Sequence, residues 1–470
     1  MTQENPTNKG GENSGAAEGT VKKHPLFDIP ERTRGTKAAR SAVFAAPFAA
    51  KIPIVNVVTL PNGLRVALDS VPSVRSAAFG IWVRNGSRNE DSVTNGISHF
   101  YEHMLFKGTE RRDARDIADE MDAVGGQLNA FTTKEFTCVF ARTLDTHLDI
   151  MMDVLADMFF NSRFDDEEIE KERNVILEEI SMNEDTPEDL VHDLLASRVW
   201  PGHPLGYSVL GTRESIAGFT SETFHTLFKK NFLPETTVLS LSGSFDTDSV
   251  LKKIETYFGE FSRNGCSPVP APADYTPGVV IKEKDIEQLH LAIGLPSIPA
   301  GSEDAHVLAV LNALYGGGMS SRLFQKIREE RGLVYSVYSC NASFLTEGLF
   351  TVYAALNPNR AGDVFRLVAD EARAFKSGVT QEQLLRAKEQ LKSNYLMSLE
   401  SMSNRMNSMG SALLMLGRIY SPEEIIQKID DVTMERLYAM ADTLFDADLL
   451  SLSAVGKVGG IDFREMIPHE

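Results

Sequence analysis

A chain of 470 residues is too long for one ordinary hydrophobic core, so two or more domains are expected. Apolar residues at 42% and aromatics at 8% are ordinary for a soluble protein. The formal charge of −19 argues against nucleic acid as the main partner and favours basic peptides.

Residues 1–51 differ from the rest. Met1 to Thr20 is rich in Gly, Asn and Glu with almost no apolar residues, which reads as disorder. The basic run Arg32 to Arg40, followed by Ala- and Phe-rich sequence, has the character of a transit peptide, yet it lies behind an acidic, Pro-containing segment. No apolar run there is long enough for a signal sequence or a membrane span. We read 1–51 as a disordered or wrapping extension and place a first domain at 52–262.

From Ile54 an α+β pattern begins. Val57–Leu60 and Leu64–Leu68 read as a hairpin around Asn62-Gly63, and Ala77–Val83 as a buried strand. Next comes Asn95-Gly96-Ile97-Ser98-His99-Phe100-Tyr101-Glu102-His103-Met104-Leu105-Phe106-Lys107-Gly108. Ile97, Phe100, Met104 and Leu105 follow the spacing of a helix with one buried face. Asn95 or Ser98 is expected to cap its start and Gly108 to end it. His99 and His103 then stand one turn apart on the same side, with Glu102 beside them. Two imidazoles at that spacing suit a tetrahedral Zn²⁺ with room for a third ligand and a water, from which Glu102 is placed to take a proton. Taken alone, this inverted His-x-x-Glu-His pattern is more often that of two surface histidines on an amphipathic helix.

Ala114–Val124 reads as a helix, and Gly125 to Phe140 as paired strands around Thr133-Lys134-Glu135. Asp165 to Ile180 is strongly helical, with an apolar stripe of Ile169, Ile176 and Ile180 flanked by Val175 and Leu177. Glu172 and Glu179 are seven residues apart and fall on one side, two turns from each other. Glu179 borders the stripe and suits a third zinc ligand; Glu172 suits the shell behind it. Glu167, Glu168 and Glu170 are read as solvation of an acidic helix.

With both helices in view, the chain resembles the pitrilysin–insulysin family of zinc peptidases, nearest to bacterial relatives of the mitochondrial processing peptidase β subunit. The resemblance runs from about Ile54 to the C-terminus. It implies metal ligands at His99, His103 and Glu179, a general base at Glu102 and a supporting glutamate at Glu172. It also implies that Asn129-Ala130-Phe131 is a sheet edge to which a substrate peptide adds as a strand, a mode that grips backbone amides whatever the side chains. Read without the resemblance, Asn129 is equally an ordinary polar residue near a turn.

Residues 263–276 form a Pro-rich linker, and 277–470 repeats the first domain. Leu289–Leu295 matches Ala77–Val83; His306–Leu314 takes the place of the metal helix; Tyr335–Tyr353 matches the paired strands; Gln381–Met397 matches the glutamate helix; and 445–456 matches 232–243. The second copy has no metal triad, so His306 is expected to be a cap or surface residue. The glycines at 316–318 lack the Gly-Lys-Ser/Thr of a phosphate cradle. In the family, an arginine and a tyrosine seven residues apart reach the substrate from this half, and Arg328 and Tyr335 have that spacing. The alternatives are that Arg328 pairs with a neighbouring glutamate and Tyr335 packs in the sheet, and Arg322 and Arg331 rival Arg328.

The fold expected is therefore α+β, with two homologous α/β-sandwich repeats facing each other as a clamshell. The function expected is a zinc-dependent endopeptidase or oligopeptidase cleaving unfolded peptides or presequences inside a closed chamber, hinged near 262–276. The alternative is a non-catalytic peptide-binding or scaffold subunit of the same fold. Insulysin-like chains carry four such units and this one two, which suggests a homodimer, with a heteromeric partner the other option. Cys138, Cys266 and Cys340 are odd in number and widely spaced. They suggest a reducing compartment, the bacterial cytoplasm first and the mitochondrial matrix second.

Overall fold

The computed structural model describes residues 55–262, 270–458 and 462–464. The segment 1–51 read above as an extension, with its transit-like run, Cys266 and the first part of the linker lie outside the described residues.

Strands β1 (Asn56–Thr59), β2 (Arg65–Ser70), β3 (Ser76–Val83), β4 (Gln127–Thr132), β5 (Thr137–Leu144) and β6 (Thr237–Gly243) form one sheet, in the order β1-β2-β6-β3-β5-β4. Strands β7 (Val279–Lys282), β8 (Leu289–Ser297), β9 (Val334–Ser343), β10 (Gly348–Leu356) and β11 (Ser451–Val455) form a second, in the order β7-β11-β8-β10-β9. Apart from β1 the two sheets have one topology. Each has a single parallel pair, β2 with β6 and β7 with β11, followed by antiparallel neighbours out to an edge strand, β4 or β9. The repeat seen in the sequence is thus a repeat of topology, and the fold is α+β.

Strand β3 is buried at every position after its first, so both its faces are covered. Its side chains alternate between two cores, as a period of two requires. Ala77, Phe79, Ile81 and Val83 join the core made with the first half's own helices. Ala78 and Trp82 face the other way, onto Met402, Met406, Met409, Leu413 and Leu414. Those residues belong to helix Met402–Leu416, which comes from the second half. The exchange is reciprocal: helix Pro187–Val199 of the first half lays Leu190, Val191, Leu195 and Val199 on Ala292, Leu349, Tyr353, Ala355 and Val455 of the second sheet. Each fully buried Val, Leu or Met among them contributes roughly 1.5–3 kcal/mol. Two glycines allow the closest crossing. A Cβ at Gly410 would lie 2.2 Å from Trp82 Nε1, and one at Gly80 would lie 2.5 Å from Met406 Sδ.

A buried arginine ties the halves and the linker together. Arg88, its side chain 1% exposed, pairs with Glu135 in the β4–β5 turn at 2.8 Å and with Glu347 in the β9–β10 turn at 2.9 Å. It also donates to the Ala271 carbonyl, and Ala273 N–H donates to the Glu347 carboxylate. No helix among the described residues is long and apolar enough to cross a membrane.

Candidate active site

The metal helix is Ile97–Met104, with Ile97, Phe100 and Met104 buried as the periodicity requires. Its ends differ from expectation. Neither Asn95 nor Ser98 caps it; the N-cap is Gly96, at φ 91°. Ser98 is inside the first turn, its hydroxyl bonded by Asn85, and Asn95 turns to Glu90 and the Ser208 carbonyl. The helix stops at Met104, and Gly108 instead forms an isolated bridge with Asp113.

Against it packs helix Asp166–Asp185, whose buried residues are Ile169, Glu172, Ile176 and Ile180. This register delivers both glutamates to the histidines. Glu179 Oε2 lies 3.6 Å from His99 Nε2 and 3.5 Å from His103 Nε2. Among the described residues His99, His103 and Glu179 are the group of three metal-type ligands that comes together, all donor atoms lying within 4.8 Å of one another. Zinc bonds of about 2.0–2.1 Å at tetrahedral angles place ligand atoms roughly 3.4 Å apart, so the donor set fits that ion.

Behind it, Glu172 Oε2 accepts from His103 Nδ1 at 3.0 Å, which leaves His103 Nε2 as the electron pair facing the cluster. Lys107 Nζ holds the other Glu172 oxygen at 2.5 Å. Although burial alone would raise the Glu172 carboxyl, His103 and Lys107 bring it below the usual carboxylate range. Burial pushes His99 down to about 4, with His103 adding to the effect, so its ring is neutral and able to ligate at neutral pH. Glu102 is raised, first by burial and further by the Glu179 charge, against the pull of the Thr132 hydroxyl and His103. One Glu102 oxygen is buried without a hydrogen-bond partner, which suits a group meant to take up a proton.

Among the described residues, edge strand β4 pairs with β5 alone. Asn129 is exposed and its side-chain oxygen accepts from the Ala130 N–H at 2.8 Å. Phe131 packs on Trp82, Phe136 and Phe140. In the second half, Tyr335 is 72% exposed at the start of β9 rather than packed in the sheet. Arg328 lies in the π-helical stretch Phe324–Glu329, 4.8 Å over the Phe324 ring rather than on a glutamate. Its rivals are engaged: Arg322 with Glu371 and the Gly378 carbonyl, Arg331 with the Lys326 carbonyl. No hydrogen bond or ion pair among the described residues joins Arg328 or Tyr335 to the histidine cluster. His306 is the second residue of helix Ala305–Tyr315, whose N-cap is Asp304.

Sequence reasoning missed Lys107 and Glu90. The latter lies 5% exposed under the metal helix and accepts from the Gly96 N–H, the Ser98 N–H and Asn95. The available signal was a helix opening on glycine, whose first amides need an acceptor from elsewhere.

Two family models match the chain: "Insulinase (Peptidase family M16)" over residues 65–213 and "Peptidase M16 inactive domain" over residues 218–391. A Bacillus subtilis protein called "Uncharacterized zinc protease YmxG" is 41% identical over 391 residues, spanning 83% of this chain and 95% of its own. One from Streptomyces coelicolor, also called a zinc protease, is 39% identical over 85% of this chain and 89% of its own. Among solved structures, a protease from Helicobacter pylori superposes with a TM-score of 0.82 at 22% identity, over 87% of this chain and all of its own (100%). A Pseudomonas fluorescens structure described as a peptidase M16 inactive domain gives 0.80 at 19%, over 86% of this chain and 98% of its own. With the inverted His-x-x-Glu-His helix, the distant glutamate and a second half of the inactive type, the chain belongs to the M16, insulinase-type family of zinc peptidases.

Proposed function

We propose that the chain is a zinc endopeptidase that cuts unfolded peptides, with His99, His103 and Glu179 as ligands and Glu102 as general base and acid. The observation carrying this reading is the convergence of two imidazole nitrogens and one carboxylate oxygen beside a half-buried glutamate with an unpartnered oxygen. Zinc bound there would supply a Lewis acid and a water of lowered pKa. Glu102 takes the proton of the attacking water and returns it to the leaving amine, a double duty that its raised pKa supports. Glu172 keeps His103 in the Nδ1–H tautomer.

The substrate adds as a strand to β4 at Asn129-Ala130-Phe131, displacing the Asn129 side chain from the Ala130 amide. Residues 52–262 form the catalytic half, and 277–470 closes the chamber across the 263–276 linker. From there Arg328 and Tyr335 meet the substrate, a cation and a phenol suited to the developing oxyanion. Exposure of Tyr335, and the lack of an ionic partner on Arg328 among the described residues, support that role. The charge of −19 supports basic peptides as substrates. Two copies of the chain pair as a homodimer. Free thiols at Cys138 and Cys340 support a reducing compartment, the cytoplasm of a bacterium like its relatives.

The test is hydrolysis of a quenched basic peptide library by wild type and Glu102→Gln, with zinc quantified in both. Retained zinc with cleavage lost only in the variant is the expected result. Full zinc with no cleavage by either protein would favour the scaffold alternative, and no zinc in either would overturn the assignment.

A further inference from the structure

The two histidines are held in different ways. His103 has its rear nitrogen on Glu172, whereas His99 Nδ1 is buried without a hydrogen-bond partner. The His99 ring, which packs edge-on against His103, therefore takes its direction from packing and from the backbone that carries it, with no hydrogen bond at its rear. That backbone is fixed at the preceding residue, Ser98, from three sides. Its N–H donates to Glu90 Oε1 at 2.8 Å, its hydroxyl accepts from Asn85 at 3.0 Å, and its carbonyl accepts from the Thr132 hydroxyl of β4 at 3.4 Å.

Glu90 is the anchor of this arrangement. Its other oxygen accepts the Gly96 N–H at 2.7 Å and the Asn95 side chain at 3.1 Å, so three donors converge on one buried carboxylate. Burial raises the Glu90 carboxyl against the pull of these bonds. In the ionised form such bonds are about twice as strong as neutral ones, and a negative charge at a helix N-terminus is favoured by the helix dipole. Because Gly96 has no side chain, the cap comes from six residues upstream, from outside the helix.

We propose that Glu90 is a positioning residue of the zinc site, doing through the backbone for His99 what Glu172 does directly for His103. The inference rests on the zinc reading above. It concerns metal affinity and requires no contact between Glu90 and the metal.

The test is the zinc dissociation constant of the full chain, measured by competition with a chromophoric chelator at a temperature well below the unfolding midpoint. Glu90→Gln keeps the shape but turns one acceptor into a donor facing an N–H. It should weaken zinc binding about 10–100-fold, the range typical of residues that orient a ligand. Asn95→Ala, which removes one of the three donors and leaves the two backbone caps, should shift affinity the same way by less, and it serves if Glu90→Gln does not fold. A lowered unfolding midpoint with wild-type zinc affinity would overturn the proposal and leave Glu90 as an ordinary helix cap. Absence of zinc from the wild type would instead overturn the zinc reading, and this inference with it.

Discussion

Arg405 forks onto Asp69 with both carboxylate oxygens engaged, at 2.5 and 2.9 Å, across 336 residues of sequence. Arg405 lies on the helix the second half lends to the first sheet, and Asp69 on β2 beneath it, their side chains 10% and 1% exposed. Buried pairs of this kind break even at best against apolar replacements, but losing one partner strands a buried charge. Asp69→Ala should therefore destabilise the chain by about 3–5 kcal/mol. Asp69→Leu combined with Arg405→Met should recover most of that loss in chemical denaturation. Additive losses in the double variant would show that the pair does not set the seat of the helix.

Glu172→Gln keeps the volume behind His103 but removes the charge that Lys107 and His103 share. An amide can no longer accept from both, so His103 loses its preferred tautomer. Zinc affinity should fall about 10–100-fold, and excess zinc should restore activity in large part. If zinc affinity is unchanged and activity is lost, Glu172 acts on the substrate instead.

The two helices that bring His99, His103 and Glu179 together were legible in the sequence because their constraint is local. His99 and His103 share a face by helix geometry, and Glu172 with Glu179 follows from a seven-residue step beside Ile169, Ile176 and Ile180. Strands β1, β2, β3 and β8 were legible to within a few residues for the same reason, whereas β7 was not read at all. What local pattern cannot carry is the identity of the partner. Met402, Met406, Met409 and Leu413 announce a buried face, but the period is the same whether that face meets the first sheet or the second. Glu90 reads as one more acid in a loop of a chain rich in acids. Only its position under Gly96, set by tertiary packing, makes it a cap. Arg88 is the same case, since its two glutamates sit in turns 47 and 259 residues away.

Tyr335 and Arg328 touch little in the protein, so their removal should leave stability within about 0.5 kcal/mol of wild type. Tyr335→Phe should lower kcat for a quenched peptide by about 10²–10³-fold, the range seen when one oxyanion donor is lost, with KM little changed. Arg328→Met should act in the same direction. A wild-type kcat in both would remove the second half from the chemistry.

Asp157 gives a prediction for acid. Its side chain is fully buried (0% exposed) on helix Leu148–Asn161. Burial alone would raise its carboxyl. Donation from Asn161, Thr109, Arg112 and Arg111 more than reverses this and brings it to about 2, from an ordinary 3.8. The bonds from Thr109, Arg111 and Arg112 hold the loop that follows helix Ile97–Met104 against the helix behind it, while Asn161 donates from within that same helix. A carboxyl depressed on folding contributes stability above its unfolded pKa and loses it as pH falls through the folded value. The contribution is therefore complete at neutral pH, at about 2 kcal/mol, and is lost between about pH 4 and pH 2. Asp157→Asn should be less stable than wild type by about that amount in urea at pH 7, and the gap should narrow steadily below pH 4. A gap that stays constant from pH 7 to pH 3 would mean that the amide disturbs packing and that the charge of Asp157 contributes nothing to holding the loop.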